Sequence, residues 1–252
     1  MTPETPVKSP MSITPLVLGG VALRFGRKVV LRDVAMKLVA GEVVGLMGAN
    51  GAGKTTLFSV IAGLLPQDAG TCTFGEHKPD ALDVAVRSQL AYVAHTTQLY
   101  GGLSARENLD LYADLRQAAG LATRAADEVL EEVDLSYAAE RRVSTFSRGM
   151  SQRLGLARAL ATRPGVLILD EPFTALDHRG KGQLTKLLLQ EKQRGAAILL
   201  SSHDLESLLS VADRMLFLEA GKIAGEVHRE QTESVDGFRE QALAFWGPAT
   251  VS

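Results

Sequence analysis

Cysteine is almost missing from this chain. Among 252 residues there is one, Cys72, so no intrachain disulfide framework can form. It lies in Thr71-Cys72-Thr73-Phe74, a strand-like run where a packed core thiol is the ordinary reading. Long apolar stretches are missing too. No run reaches the roughly eighteen residues that a membrane-spanning helix needs. The N-terminus lacks the apolar core of a secretory signal. An excess of basic charge is also absent. The net charge of −2 offers no broad basic surface and argues against nucleic acid as a partner. Together these absences predict a cytosolic chain that reaches a membrane only through a partner. Its length suffices for a substantial core.

Residues 1–15 carry four prolines among small polar residues and read as a disordered leader. Leu16 to Leu38 alternates apolar and polar residues around Phe25-Gly26-Arg27-Lys28, a β-hairpin signal. Pro66 to Gly70 reads as a turn before a strand over Thr71 to Gly75, and Gln89 to Ala94 as a further strand. From Ser104 to Thr162 the period turns helical. Ser104 and Glu107 form a capping box, and Leu109, Leu111, Tyr112 and Leu115 recur at near-helical spacing. Val166-Leu167-Ile168-Leu169 and Ala196 to Leu200 are uninterrupted apolar strands suited to burial on both faces. A helix is expected over Lys181 to Arg194, a late hairpin over Met215 to Val227, and a last helix over Ser234 to Trp246. This order predicts an α/β fold: a three-layer core with a β-rich start and an inserted helical subdomain.

Three segments carry chemistry. Gly48-Ala49-Asn50-Gly51-Ala52-Gly53-Lys54-Thr55 matches the phosphate-loop pattern in full, between a buried strand and a helix, with Thr56 following. The glycines let backbone N–H groups turn towards phosphate oxygens, and the helix N-terminus adds partial positive charge. Lys54 is placed to reach the outer phosphates, and the Thr55 hydroxyl to ligate Mg²⁺. Asp170 and Glu171 close a buried strand. Asp170 suits Mg²⁺ held through its hydration shell, and Glu171 suits polarisation of an attacking water. Phe146-Ser147-Arg148-Gly149-Met150 precedes a helix, where Ser147 and Gly149 can present a hydroxyl and backbone N–H groups to phosphate.

Over roughly Leu16 to Val227 the chain resembles the ATP-binding subunits of ABC transporters. Gly48 to Thr55 resembles their Walker A motif, and Leu167 to Glu171 their Walker B with its catalytic glutamate. Ser147 to Met150 resembles the signature loop, with Arg148 in place of a glycine. Ala175-Leu176-Asp177 resembles the D-loop, and His203 the switch histidine. The resemblance implies a P-loop NTPase (RecA-like) core with an antiparallel β subdomain, a catalytic domain over 16–230, a helical subdomain at about 96–162 and a tail over 231–252. It implies two domains meeting head to tail around two ATP molecules, the phosphate loop of one facing Ser147 and Gly149 of the other. Asp177 would link the sites, and His203 would hold Glu171 and the water. Phe25 resembles the residue that stacks on adenine, with a core Phe as the rival reading. His95 stands where the family has its Q-loop glutamine, which contacts Mg²⁺ and signals to the membrane subunit. Imidazole is a poorer Mg²⁺ ligand than an amide oxygen, and Gln98 is close enough to substitute. The partners implied are transmembrane permease subunits that hold the chain at the cytoplasmic face of the inner (plasma) membrane.

Within that family the run Tyr92-Val93-Ala94-His95, the segment Leu103 to Leu109 and the continuation Asp170 to Ala175 are similar to the heme-exporter ATPase of cytochrome c maturation. ATPases of drug and polysaccharide exporters are the alternative, since they share the Phe-Thr pair and the Arg-Gly-Met signature. A regulatory, non-transporting ABC ATPase is the rival of another class. Intact Lys54, Asp170, Glu171 and His203 argue against slow hydrolysis. Thr97 to Gly102, partly apolar, suits a socket for a short coupling helix of the membrane partner, with an ordinary surface loop as the equal alternative.

Overall fold

The computed structural model describes residues 14–77, 84–231 and 234–246. Most of the expected leader, residues 1–13, lies outside the described residues, as do 232–233 and 247–252 of the expected tail.

Two apolar clusters, one on each face of a central sheet, set the architecture. Strands β3 (Val43–Met47), β6 (Val166–Leu169) and β7 (Ala197–Ser201) are buried at every position, as central parallel strands must be. Their side chains alternate. Val43 and Met47 enter one cluster, while Val44 and Leu46 enter the other. With β5 (Leu90–Val93), β8 (Arg214–Glu219) and β9 (Lys222–His228) they form a six-stranded sheet of order β5-β6-β7-β3-β8-β9. All its pairs are parallel except the β8–β9 hairpin. A second, antiparallel sheet of order β2-β1-β4 comprises β1 (Leu16–Phe25), β2 (Lys28–Leu38) and β4 (Ala69–Phe74). It closes the second cluster together with helix α1 (Lys54–Ile61). The longer helices that follow in the chain gather on the first cluster, so the expected three layers are present.

A short helix α2 (Val84–Arg87) precedes β5. Between β5 and β6 run α3 (Ala105–Ala118), α4 (Ala126–Glu132) and α5 (Arg148–Leu160). The α3 capping box is reciprocal: Glu107 N donates to Ser104 Oγ at 3.1 Å and Ser104 N donates to the Glu107 carboxylate at 2.7 Å. The apolar stripe predicted along α3 is only partly used. Leu109 is buried, but Leu115 is 60% exposed. The buried residues of α3, Ala105, Asn108 and Leu109, all lie near its start, so its far end leaves the core. After β6 come α6 (His178–Gln193), α7 (Leu205–Leu209) and, last, α8 (Val235–Trp246).

Two boundaries differ from the sequence reading. β4 begins at Ala69 rather than Thr71 because Gly70 (φ +85°) lies against Gly20: a Cβ there would meet the Gly20 carbonyl oxygen at 2.3 Å. α6 begins at His178 rather than Lys181 because the Asp177 carboxylate caps it, accepting from Gly180 N at 2.7 Å.

Candidate active site

The parallel strands deliver their C-terminal ends to one place. β3 leads into Gly48 to Lys54, β6 into Asp170 and Glu171, β7 into Ser201 to His203, and β5 towards His95. This is the edge where open α/β sheets bind ligands.

The phosphate loop is held from behind by β8. A Cβ on Gly48 would stand 2.6 Å from the Leu218 carbonyl oxygen, and Gly221 N donates to Ala52 O at 3.1 Å. Gly51 and Gly53 take φ of +81° and +111°, values open to glycine. Lys54 Nζ donates to Gly48 O at 2.7 Å and lies 3.8 Å from Glu171 Oε1. Thr55 Oγ1 donates to Asp170 Oδ2 at 2.6 Å. Asp170 is 1% exposed and takes a second hydrogen bond from Ser201 Oγ, at 2.7 Å to Oδ1. Ser201 Oγ in turn accepts from Glu171 N at 2.9 Å. Glu171 itself has φ +55°, a strained value for a residue with a Cβ. Its Oε2 lies 2.9 Å from His203 Nδ1 and 3.3 Å from His203 N. A carboxylate pinned between a lysine and an imidazole is suited to taking a proton from water. Behind Asp170, the Tyr92 hydroxyl is pushed up to about 12, first by burial and then by the Asp170 charge, against a hydrogen bond from Ser59. It stays a neutral phenol.

A cavity of about 610 Å³ opens over these groups. Ala49, Asn50, Gly51, Gly53, Lys54, Thr55 and Thr56 line it with Asp170, Glu171, His95 and Phe25. Gly48 and Ala52 supply backbone packing instead of surface. Phe25 is 52% exposed, so it is not a core residue. Among the described residues no cluster of three His, Cys, Asp or Glu side chains assembles to hold a metal. The Thr55 hydroxyl and Asp170 carboxylate are nonetheless adjacent, an oxygen pair that fits a hard cation sharing its shell with phosphates and water.

Ser147, Gly149 and Asp177 do not join this cavity. They line another, of about 330 Å³, with Met150, Ala175 and Arg179. There Ser147 Oγ caps α5 by accepting from Met150 N at 3.3 Å. His95 lines the larger cavity with Thr55 and Asp170. Its Nε2 lies 2.7 Å from Arg148 Nη2, so the two residues that depart from the family pattern face one another. Gln98 does not line the larger cavity, and its carbonyl accepts from Arg158 at 3.1 Å.

Three residues of the site, Ser201, Lys28 and Val30, were not anticipated. Ser201 had a signal, as the polar residue ending a buried apolar strand at the sheet's ligand-binding edge. Lys28, which lines the cavity beside Phe25, had none beyond its place in the hairpin turn.

The profile of a family described as "ABC transporter" matches residues 31–174. The chain belongs to the ABC transporter family. It is an ATP-binding subunit of that family and an ATPase. It is 34% identical over 219 residues to the uncharacterized ABC transporter ATP-binding protein YdbJ of Bacillus subtilis (strain 168), covering 86% of this chain and 70% of that one. It is 35% identical over 228 residues to the daunorubicin resistance ATP-binding protein DrrA3 of Streptomyces coeruleorubidus, covering 90% and 72%. A solved ATP-binding subunit of an ABC transporter superposes with a TM-score of 0.78 at 27% identity, covering 90% of this chain and 99% of that one. Among the described residues no helix is long and apolar enough to cross a membrane.

Proposed function

We propose that two copies of this ABC ATPase close head to tail on two ATP molecules and drive export through membrane-spanning partner subunits at the cytoplasmic face of the plasma membrane. One observation carries the reading. The phosphate loop, Asp170, Glu171 and His203 converge on one site, while Ser147, Gly149 and Asp177 of the same chain line a different cavity. A site split in this way is completed by a second copy.

In each site the loop N–H groups and the N-terminus of α1 hold the phosphates. Lys54 exchanges the Gly48 carbonyl for the outer phosphates. Thr55 and Asp170 are the residues that would hold Mg²⁺, which when bound neutralises phosphate charge. Glu171 orients the attacking water and accepts its proton, and His203 keeps the Glu171 carboxylate in place. Phe25 stacks on the base. Ser147 and Gly149 reach the γ-phosphate across the interface, and Asp177 joins the two sites. His95 acts through Arg148 on the signature loop rather than as a metal ligand.

For cargo, the drug-exporter alternative is the one we carry forward. The daunorubicin-resistance relative supports it, and the other relative named above is uncharacterized. The test is purification of the tagged chain from detergent-solubilised membranes, with ATPase assay of the complex. Co-purification of a permease and loss of hydrolysis in Glu171→Gln support the proposal. A chain that hydrolyses ATP but retains no membrane partner would count against the transport role.

A further inference from the structure

Away from the nucleotide, a small cavity of about 110 Å³ lies at the junction of α2, β5, α3 and α5. Arg116 of α3 and Arg158 of α5 line it, with Arg87 at the end of α2. No carboxylate lines it among the described residues. Arg116 and Arg158 are each partly exposed, and neither forms an ion pair with a described carboxylate.

Arg116 Nε is buried and has no partner, the one such side-chain atom among the described residues. The rest of its guanidinium makes a long 3.4 Å contact to Ala122 O. Arg158 is held by neutral groups alone. It donates to Thr97 O at 2.9 Å and to Gln98 O at 3.1 Å, and stacks 5.5 Å above the Tyr112 ring. Burial lowers the pKa of both arginines, and the only groups that oppose it are tyrosines. The cavity has roughly the volume of three or four waters, enough for a phosphate-sized group and too small for a nucleotide.

We propose that Arg116 and Arg158 form a binding site for a phosphate-class oxyanion, free or as the terminal group of a small phosphate ester, separate from the nucleotide site. A bound oxyanion pairs with the outer guanidinium nitrogens of Arg116 and with Arg158, which offsets both charges. It also has a place in the working parts. α5 begins at Ser147, and Arg158 near its other end grips the loop that follows His95. Occupancy would therefore fasten α3 to α5 and to that loop.

The test must separate this site from the phosphate loop, which also attracts phosphate. Lys54→Ala removes the principal anion ligand there. In the full-length Lys54→Ala chain, titration with inorganic phosphate followed by calorimetry and thermal unfolding is expected to show saturable binding and a higher Tm. Adding Arg116→Gln is expected to weaken that binding at least tenfold (about 1.4 kcal/mol). Absence of saturable binding, or equal binding with and without Arg116→Gln, overturns the proposal. Glycerol 3-phosphate in place of phosphate distinguishes the sources: tighter binding assigns an ester, and equal or weaker binding the free anion. Should Arg116→Gln fail to fold, the unsubstituted protein crystallised and soaked in tungstate gives the second readout. Anomalous density between Arg116 and Arg158 supports the site. Density at the phosphate loop alone, an adventitious ion only, sinks it.

Discussion

Removing the Ser201 hydroxyl should damage stability and catalysis together. The side chain is fully buried and makes two contacts that nothing else supplies: a hydrogen bond to Asp170 Oδ1 at 2.7 Å, and acceptance of the Glu171 N–H at 2.9 Å. In Ser201→Ala, Asp170 keeps its bond from Thr55. It loses a charge-assisted donor worth about 1.5–3 kcal/mol, and the Glu171 N–H is orphaned at a cost of about 1–3 kcal/mol. Relaxation recovers part of this, so a net loss of about 3 kcal/mol is expected. For a chain of this size that corresponds to a Tm lower by roughly 6–12 °C. Urea unfolding should show a lower midpoint with an unchanged slope. Because Glu171 holds a strained φ that this bond helps to enforce, kcat should fall by about tenfold or more, while the affinity for ATP changes little. Ser202→Ala is the control. Its hydroxyl accepts only from Asp204 N, at 3.0 Å, and the loss should be about 1 kcal/mol. A Ser201→Ala protein as stable as its parent, with unchanged kcat, would mean that this hydroxyl orders neither Asp170 nor Glu171.

Other outcomes follow from the same geometry. Phe25→Ala should weaken ATP binding by about five- to tenfold, the worth of one base stack, with kcat at saturating ATP preserved, as equilibrium binding and steady-state rates will show. Gly225→Val should push Phe245 off its stack on Phe217, since a Cβ at Gly225 would meet the Phe245 ring at 2.2 Å. The expected loss is about 1–3 kcal/mol in urea unfolding, with a shift in the emission of the neighbouring Trp246. Glu132→Gln should cost stability at neutral pH and little in acid. The hydrogen bonds from Arg124 hold the Glu132 carboxyl below its usual range, so its contribution is present above the unfolded pKa and is lost as pH falls through the folded one. Unfolding curves at neutral and acid pH check this. Tyr100→Asp should reduce co-purification of a permease without changing ATP affinity. Tyr100 is 62% exposed, whereas Leu99, its neighbour in the expected socket, packs against the core.

Local chemistry made much of this molecule legible. The glycine spacing of the phosphate loop, the apolar runs of β6 and β7 and the Ser104–Glu107 box each encode their geometry within a few residues. What stayed hidden depends on contacts distant in the chain. The early start of β4 needs Gly20 opposite Gly70. The exposure of Leu115 needs the packing of α3 against its neighbours. The pairing of His95 with Arg148 joins positions 53 apart in sequence, and no local pattern announces it. Ser201 lies between, because its strand position was readable but its bond to Asp170 required the register of β6 on β7.

In the proposed assembly a second copy completes the catalytic site through Ser147. The direct measurement is analytical ultracentrifugation of Glu171→Gln with and without ATP, repeated with Ser147→Arg added. The account predicts a species of twice the 26.9 kDa chain mass with ATP, and a chain-mass species when Ser147→Arg is added. ATP affinity of the isolated Ser147→Arg chain should be unchanged. A Glu171→Gln protein that stays at chain mass with ATP, or a Ser147→Arg chain that loses ATP affinity as a monomer, would contradict it.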